Sequence, residues 1–235
     1  MKAPDPRRTP TCPPFPRKPS EFTCFDPIRK RISRFYLTAG LLWKTGILLL
    51  LSVMTHGQNL DSALVGGGCF WCTEALMKML KGVKEVIPGY AGGHVPNPTY
   101  EAVCTQTTGH AEVVLVRFNP QEISYQTLIE YFLLTHDPTT LNRQGNDIGP
   151  QYRSVIFYFN EAQKQIAEAV KADLTKRKVF DKPIVTAIEP YRNFYPAEAY
   201  HQDYYARNPD KPYCTYVISP KLQKARAKFR SLMRD

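Results

Sequence analysis

Three consecutive glycines, Gly66–Gly68, constrain the fold of this chain more than any other feature of its sequence. They follow the short apolar segment 63–65, and glycine readily adopts backbone conformations that other residues avoid. The residues beyond them show apolar side chains at helical spacing, namely Leu76, Met79, Leu80 and Val83. This order predicts a strand, a sharp glycine turn and a helix, which places Cys69 at or near the amino terminus of the helix.

The remainder of the chain alternates between strand-like and helix-like segments. Strands are predicted at 83–90, 111–118, 154–159 and 184–188, and helices are predicted to begin after Ser124 and Asn160. With the first strand and helix, they give the order strand-helix-strand, strand-helix, strand-helix-strand. This order fits an α/β (α+β) fold, a two-layer sandwich of helices on a mixed sheet, and we expect a ferredoxin-like plait.

Residues 1–34 differ in composition from the rest of the chain. Eight of the 20 prolines lie between Pro4 and Pro27, among arginines and lysines. Proline lacks a backbone donor and fixes φ, so this stretch cannot build a packed element, and we expect a disordered extension. A start codon assigned too far upstream would produce a similar segment.

Residues 35–57 contain a long apolar run, FYLTAGLLWKTGILLLLSVM, interrupted by a single charge at Lys44. The basic residue, the apolar core at 46–54 and the residues Thr55-His56-Gly57 follow the order of a secretory signal. An uncleaved anchor, a core helix and misread coding sequence are the alternatives, because about 20 apolar residues also suffice to cross a bilayer. We expect an exported (periplasmic) or membrane-anchored protein through residues 44–57, with a cytoplasmic location as the alternative.

The formal net charge of +10 is concentrated in front of residue 58. Residues 1–57 carry ten Lys or Arg against three Asp or Glu, whereas the rest of the chain carries 21 against 18. The nearly balanced body argues against a nucleic-acid-binding domain. A basic module for nucleic acid or an anionic membrane, formed by residues 1–57, is an alternative function of a different class.

The segment GGGCFWCTE at 66–74 contains the strongest chemical signal of the sequence. The ordinary pKa of a cysteine thiol is about 8.5, and the amide groups of a helix amino terminus favour its anion. Cys69 is therefore a candidate nucleophile, with an inert buried cysteine as the alternative. Phe70 and Trp71 beside it are suited to form an apolar socket next to the sulfur, or else to pack in the core.

Cys72 follows Cys69 at Cys-x-x-Cys spacing, about one helical turn away. Such a pair can form a disulfide, so a general thiol-disulfide oxidoreductase is a second functional hypothesis. The spacing alone is a weak signal, and Trp71 precedes the second cysteine here, whereas in thioredoxin-type pairs a tryptophan precedes the first. The histidines never pair at metal-ligand spacing, which argues against a metal site.

Five blocks of the sequence together resemble the A class of peptide methionine sulfoxide reductases, which is specific for the S epimer. They are GCFWC, GYAGGHVPNPTYEAVC, TGHAEV, HDPTTLNRQGNDIGPQYRS and FYPAEAYHQDYY, in the family order between about residues 62 and 230. The resemblance implies thiol-dependent reduction of methionine S-sulfoxide, protein-bound or free, and hence repair of oxidised proteins. It also implies that residues 58–235 form the catalytic domain.

The resemblance makes Cys69 the nucleophile that attacks the sulfoxide sulfur and Glu112 the acid that protonates the oxygen. Strand alternation supports the role of Glu112, which shares a face of the predicted strand with Val114, Val116 and Phe118. A carboxyl group on an apolar face has a raised pKa because burial disfavours its charge, and this suits a proton donor near pH 7. A glutamate exposed at a strand end is the alternative.

The resemblance also implies roles in substrate binding. Tyr100 and Tyr152 match hydroxyls that hold the sulfoxide oxygen, and Asp147 matches a residue that binds the backbone N–H of the substrate. Phe70 and Trp71 match the socket for the terminal methyl group. Taken alone, each tyrosine is equally well explained by packing, and the aspartate by a turn.

The implied cycle leaves Cys69 as a sulfenic acid, which a second thiol converts to a disulfide that thioredoxin or a similar dithiol then reduces. Cys214, in the sequence NPDKPYC, and Cys72, where many family members have glycine, are the candidate resolving residues. We favour Cys214, because a mobile tail reaches the site more easily than a Cys-x-x-Cys helical turn closes.

The resemblance also fixes the expected partners. Oxidised protein substrates and a thioredoxin-like reductant are expected, and the enzyme is expected to be a monomer. No cofactor, metal or nucleic acid is implied. A membrane contact is expected only through residues 35–57, if they are not cleaved.

Overall fold

Residues 59–234, the part of the chain that the computed structural model describes, form eight strands and six α-helices. The strands are β1 (Asp61–Gly66), β2 (Val83–Ala91), β3 (Ala111–Phe118), β4 (Arg143–Gln144), β5 (Asp147–Ile148), β6 (Val155–Tyr158), β7 (Ala187–Pro190) and β8 (Phe194–Pro196). The helices are α1 (Phe70–Lys78), α2 (Tyr100–Cys104), α3 (Tyr125–Thr135), α4 (Glu161–Lys176), α5 (Tyr204–Arg207) and α6 (Ser219–Lys228). Short 3-10 turns at Pro150–Tyr152 and Arg230–Leu232 and a π-helical turn at Cys214–Ile218 accompany them. The predictions for residues 1–34 and 35–57 fall outside the described residues.

Six of these strands form one sheet in the order β7-β6-β1-β3-β2-β8, while β4 and β5 form a separate hairpin. Neighbouring strands of the sheet are antiparallel except β6 and β7, which are parallel. The four central strands, β6-β1-β3-β2, with α1 between β1 and β2 and α3 between β3 and β6, form a ferredoxin-like plait. The predicted fold is confirmed, and β7 and β8 extend the plait at its edges.

Side-chain caps fix the starts of the two longest helices. The Ser124 hydroxyl accepts a hydrogen bond from the Thr127 N–H at 3.0 Å, and the Asn160 side-chain oxygen accepts one from the Gln163 N–H at 2.9 Å. Each cap satisfies an N–H group that has no partner within its helix. The predicted starts of α3 and α4 are therefore confirmed.

Helix α1 is shorter than its apolar spacing predicts. It ends at Lys78, Leu80 pairs with Met233 in an isolated bridge, and Val83 begins β2. Gly82 has φ +89°, a left-handed conformation that turns the chain out of the helix and that glycine adopts without strain. The four side chains at helical spacing therefore do not all belong to one helix. They come from a helix, a turn and a strand, and they pack together in the same core cluster.

Strand β7 begins later than predicted. The predicted strand covered 184–188, but pairing with β6 starts only at Ala187. The Val185 N–H instead donates to the Pro138 carbonyl at 2.8 Å, so this part of the segment is held by a loop. The apolar composition of residues 184–188 did not show which of them pair with β6 and which lie in a loop.

Strand β3 carries side chains to both faces of the sheet. Val114, Val116 and Phe118 pack in the core cluster that contains the helices, whereas Val113 packs in a smaller cluster on the other face. Alternation along the strand places Glu112 on the same face as the first three. The sheet therefore directs this carboxyl group towards α1.

Helix α1 has no solvent-exposed face over most of its length. All its residues from Phe70 to Met77 are buried, and the last residue, Lys78, is half-buried. The strands β2 and β3, together with α5, the π-helical turn and α6, surround it. Burial on all sides gives the cysteines at its amino terminus a fixed position.

Candidate active site

Close backbone contacts require the glycine turn after β1. A β-carbon on Gly66 would lie 2.6 Å from the carbonyl oxygen of Glu112, so glycine allows β1 to approach β3 this closely. Gly68 has φ +92°, and a β-carbon there would lie 2.5 Å from the Gln144 side chain. The turn leads directly into α1 and makes Cys69 the N-cap residue, as predicted.

Cys69 caps α1 with its backbone, while its thiol is enclosed. The Cys69 carbonyl accepts hydrogen bonds from the N–H groups of Cys72 at 3.1 Å and Thr73 at 3.4 Å, but its side chain makes no capping hydrogen bond. Only 4% of the residue is exposed. Burial raises the pKa of the Cys69 thiol well above its usual value, and the nearby Cys72 and Glu112 raise it further. This direction is opposite to the predicted stabilisation of the anion by the helix amides.

Glu112 lies on β3 opposite Tyr90 of β2 and is 1% exposed. Its Oε2 accepts a hydrogen bond at 3.0 Å from the N–H of Phe70, the first residue of α1. Burial raises the pKa of the carboxyl to about 8, although this hydrogen bond acts in the opposite direction. The predicted position of Glu112 on the apolar side is confirmed. At pH 7 the carboxyl is mostly protonated and is able to donate its proton.

Two buried tyrosine hydroxyls lie in the same region. Tyr100 begins α2, and Tyr152 ends the 3-10 turn before β6. Burial raises the pKa of both hydroxyls, and Glu112 and Cys69 raise it further, so the four groups are neighbours. Both tyrosines therefore remain O–H donors at neutral pH.

Asp147 lies on the β4–β5 hairpin, where the C-terminal segment contacts it. Its Oδ2 accepts a hydrogen bond from the Tyr213 hydroxyl at 2.8 Å. Burial raises the pKa of this half-buried carboxyl, whereas the hydrogen bond from Tyr213 and the charge of Lys221 lower it. The charge of Asp147 also raises the pKa values of Cys69 and Glu112, so Asp147 lies at the edge of the same region.

Phe70 and Trp71 belong to a buried aromatic cluster. Trp71 stacks on Tyr204 with ring centroids 3.6 Å apart and an interplanar angle of 6°. Its indole N–H donates to Nδ1 of His201 at 3.1 Å, and burial lowers the pKa of His201 to about 4, so that this ring is neutral. The Phe70 ring lies 4.9 Å from the His201 ring and 5.8 Å from the Tyr90 ring. The cluster gives the cysteine an apolar wall on one side.

A buried carboxylate connects α1 to the segment that carries His201 and Tyr204. The Oε1 atom of Glu74 accepts hydrogen bonds from the Lys78 ammonium and from the Asp203 N–H, each at 2.8 Å. Lys78 also pairs with the Asp203 carboxylate. These contacts fix the aromatic cluster against the helix, and the four-residue spacing of Glu74 and Lys78 is a helical pairing signal that the sequence already contains.

Three buried cysteines, Cys69, Cys72 and Cys214, carry free thiols in the described part of the chain. The thiols of Cys69 and Cys72 lie close enough for each to shift the pKa of the other. Cys214 begins the π-helical turn, and the charge of Cys72 raises its pKa, so these two residues are also neighbours. Within residues 59–234, no three His, Cys, Asp or Glu residues are grouped closely enough to hold a metal ion.

Two contacts of Cys72 were not predicted from the sequence. The Tyr213 hydroxyl lies 3.8 Å from the Cys72 Sγ, and the Lys221 Nζ lies 3.9 Å from it. The position of Tyr213 directly before Cys214 was an available signal. No motif marks Lys221, which contacts a residue 149 positions earlier in the chain.

Comparison with known proteins indicates one family. The family model for peptide methionine sulfoxide reductase matches residues 61–233. The peptide methionine sulfoxide reductase MsrA of Thermus thermophilus is 59% identical over 174 residues, which cover 74% of this chain and 98% of that protein. The corresponding MsrA of Saccharolobus solfataricus is 57% identical over 165 residues, covering 70% of this chain and 92% of that protein.

A solved structure is also similar to this chain. The crystal structure of Mxr1 from Saccharomyces cerevisiae in reduced form is 37% identical, with a TM-score of 0.62. The match covers 66% of this chain and 89% of that chain. The chain therefore belongs to the peptide methionine sulfoxide reductase family.

Proposed function

We propose that this chain reduces methionine S-sulfoxide, protein-bound and free, to methionine, with Cys69 as the nucleophile and Glu112 as the acid. The observation that carries this proposal is the 3.0 Å hydrogen bond from the Phe70 N–H to Glu112, which sets a buried acid beside the residue that follows Cys69. Family membership supports the substrate class, and the resemblance of the sequence to the A class supports the S epimer.

The proposed step moves one oxygen atom from the substrate to Cys69. The Cys69 sulfur attacks the sulfoxide sulfur and forms an S–S bond while Glu112 donates a proton to the oxygen, and Glu112 then takes up the proton of the thiol. The hydroxyl group then passes from the substrate sulfur to the Cys69 sulfur as the S–S bond breaks. Tyr100 and Tyr152 donate hydrogen bonds to the oxygen as its negative charge grows. The products are methionine and Cys69 sulfenic acid, so no cofactor takes part in this step.

Substrate binding uses the groups around the cysteine. Phe70 and Trp71 receive the terminal methyl group, because their rings are apolar and fixed by packing. Asp147 accepts a hydrogen bond from a backbone N–H of the substrate, at the carboxylate that accepts the Tyr213 hydroxyl in this structure.

Regeneration requires a second thiol and an external dithiol. Cys72 or Cys214 condenses with the sulfenic acid, and thioredoxin or a similar dithiol reduces the resulting disulfide by exchange. The proposed partners are thus oxidised proteins and a thioredoxin-like reductant, and the enzyme acts as a monomer. The Cys-x-x-Cys pair of Cys69 and Cys72, whose thiols shift each other's pKa, favours a second candidate, a general thiol-disulfide oxidoreductase, which would not need Glu112.

For the location, we propose export or membrane anchoring through residues 44–57, from the sequence alone, with a cytoplasmic location as the alternative. In residues 59–234, no helix combines the length and the apolar character that crossing a membrane requires. Cell fractionation and amino-terminal sequencing test the proposal. A mature protein that starts near Gly57 outside the cytosol agrees with export, and a cytosolic protein that retains residues upstream of Gly57 contradicts it.

We expect the purified protein, supplied with dithiothreitol, to consume the S epimer of a methionine sulfoxide peptide and to leave the R epimer unchanged. Chromatography that separates the two epimers measures this selectivity. Because dithiothreitol reduces the sulfenic acid directly, the result does not depend on which cysteine resolves it.

The matched control is Cys69→Ser, which is expected to consume neither epimer, because a hydroxyl oxygen is a far weaker nucleophile than the cysteine sulfur. Consumption of the R epimer, or activity retained in Cys69→Ser, contradicts the proposed function.

A further inference from the structure

We propose that Lys221 is a positioning residue that holds Cys72, rather than Cys214, ready as the first thiol to condense with the Cys69 sulfenic acid. This inference rests on the proposed sulfoxide reduction and concerns the step that follows methionine release. It assigns a role in the redox cycle to a lysine of α6 that no sequence motif marks.

The contacts of the Cys72 sulfur carry the inference. Lys221 is half-buried on α6, and its ammonium lies 3.9 Å from the Cys72 Sγ. Cys69, the N-cap residue of the same helix, lies three residues before Cys72, and each of the two thiols shifts the pKa of the other. A cation at this distance stabilises a thiolate, and the thiolate is the form that attacks a sulfenic acid. Cys72 thus lies beside a charge that favours its thiolate and one helical turn from the sulfur that it attacks.

The charged and titratable groups that face Cys72 come from several elements. They are Cys69 at the start of α1, Glu112 on β3, Asp147 on β5, and Tyr213, Cys214 and Lys221 from the C-terminal segment. Asp147 opposes a negative charge on Cys72, and Glu112 is neutral at pH 7 because its pKa is about 8. The Tyr213 hydroxyl has one proton and donates it to Asp147 at 2.8 Å. Lys221 is therefore the group of this set whose charge favours the thiolate.

Two cysteines behave differently in this environment. The pKa of Cys72 is lowered by the neighbouring Cys69 and by Lys221, in spite of burial. Cys214 is fully buried, and burial together with the charge of Cys72 raises its pKa. Lys221 therefore favours the thiolate of Cys72, whereas the surroundings of Cys214 disfavour its thiolate.

The backbone at Cys69 removes the sequence-based reason for preferring Cys214. That preference assumed that both cysteines lie within a helical turn, which would have to distort to form a disulfide. Cys69 is the N-cap residue, with φ −56° and ψ 126°, and only Cys72 lies inside the helix. The Cys69 side chain can therefore approach Cys72 without the loss of a helical turn.

The proposed step is balanced without another reactant. The Cys72 thiolate attacks the Cys69 sulfenic sulfur, the S–S bond forms and the S–O bond breaks. The hydroxide that leaves combines with the proton lost by Cys72, and water is the product. The sulfur of Cys72 is oxidised and that of Cys69 is reduced to the level of a disulfide.

A single-turnover experiment on the whole protein tests the inference. The reduced enzyme is mixed with one equivalent of a methionine S-sulfoxide peptide without reductant, quenched with an alkylating agent and mapped by mass spectrometry. We expect a disulfide between Cys69 and Cys72 in the wild-type protein. In Lys221→Met, methionine release still reaches one equivalent, but the disulfide forms about tenfold more slowly, because the thiolate fraction of Cys72 falls.

The pH dependence of Cys72 alkylation gives a readout that a purely structural role of Lys221 would not change. We expect its midpoint to rise by about one pH unit in Lys221→Met and to return towards the wild-type value in Lys221→Arg. The matched control is Lys224→Met, which removes an exposed lysine of the same helix and is expected to leave the midpoint unchanged.

The outcomes separate the inference from the proposed function. A Cys69–Cys214 disulfide as the first product, or equal disulfide rates in Lys221→Met and Lys224→Met, overturns the inference while the proposed function stands. Failure of the wild-type protein to release methionine overturns the proposed function, and this inference with it.

Discussion

The Glu112→Gln variant is expected to lose roughly two to four orders of magnitude in kcat/KM for a methionine S-sulfoxide peptide. In the wild type, the Phe70 N–H donates to Glu112 at 3.0 Å. Glutamine keeps an oxygen that can accept this hydrogen bond, but it has no acidic proton to donate. Steady-state turnover with dithiothreitol as the reductant measures the effect. The matched control is Glu168→Gln, an exposed glutamate of α4, which is expected to retain wild-type activity.

The pH dependence of the wild-type enzyme gives a second test of Glu112. Because the carboxyl acts in its protonated form and its pKa is about 8, activity is expected to decline above pH 8, and Glu112→Gln is expected to lack this decline. The native state also holds this proton more tightly than the unfolded chain does. The unfolding free energy of the wild type is therefore expected to fall, relative to the variant, as pH rises from about 4.5 to 8.

The same variant separates the two candidate functions. A general thiol-disulfide oxidoreductase uses Cys69 and Cys72, so its exchange with a small disulfide is expected to be nearly unchanged in Glu112→Gln. Full sulfoxide reductase activity in this variant would show that Glu112 is not the acid.

The Trp71→Ala variant is expected to have the largest effect on stability, a loss of about 3–5 kcal/mol in the free energy of unfolding. Trp71 is 5% exposed, and its removal takes away the stacking on Tyr204 and the hydrogen bond to His201. Denaturant unfolding followed by circular dichroism measures the loss. In the folded variant, kcat/KM is expected to fall roughly 10- to 200-fold, since an apolar contact with the substrate methyl group is lost.

Two further variants serve as controls: one makes a smaller change at Trp71, and the other removes an exposed aromatic side chain elsewhere. Trp71→Phe keeps a ring against Tyr204 but has no indole N–H, so we expect a smaller loss of about 1–3 kcal/mol from the missing hydrogen bond to His201. Tyr216→Ala removes an aromatic residue that is 79% exposed, and its effect is expected to stay within about 0.5 kcal/mol. Equal losses in Trp71→Ala and Tyr216→Ala would contradict the role of the aromatic cluster.

Features that depend on neighbouring residues could be predicted from the sequence. The apolar side of Glu112 follows from alternation within one strand, and the N-cap position of Cys69 follows from the glycine turn. The order of strands and helices was sufficient to identify the plait, because few arrangements of that order bury both helices on one sheet.

Features that depend on distant segments could not be predicted. The pKa of Cys69 is set by burial, and part of the enclosing wall comes from His201, which is 130 positions away from Trp71. The contact between Lys221 and Cys72 spans 149 positions and has no periodic pattern that would reveal it. Local rules describe how each element forms, but the electrostatics of the thiols arise only when the C-terminal segment packs on α1.

The enclosure of α1 from Phe70 to Met77 has a consequence for how this enzyme meets other proteins. A helix that is covered on every side cannot itself move aside to admit a bulky oxidised protein or a reductant. We therefore expect access to the thiols to depend on the stretch 209–212, whose residues are exposed and which leads into Tyr213. The reactive sulfur then belongs to one of the most enclosed elements of the fold, whereas its access depends on one of the most exposed segments.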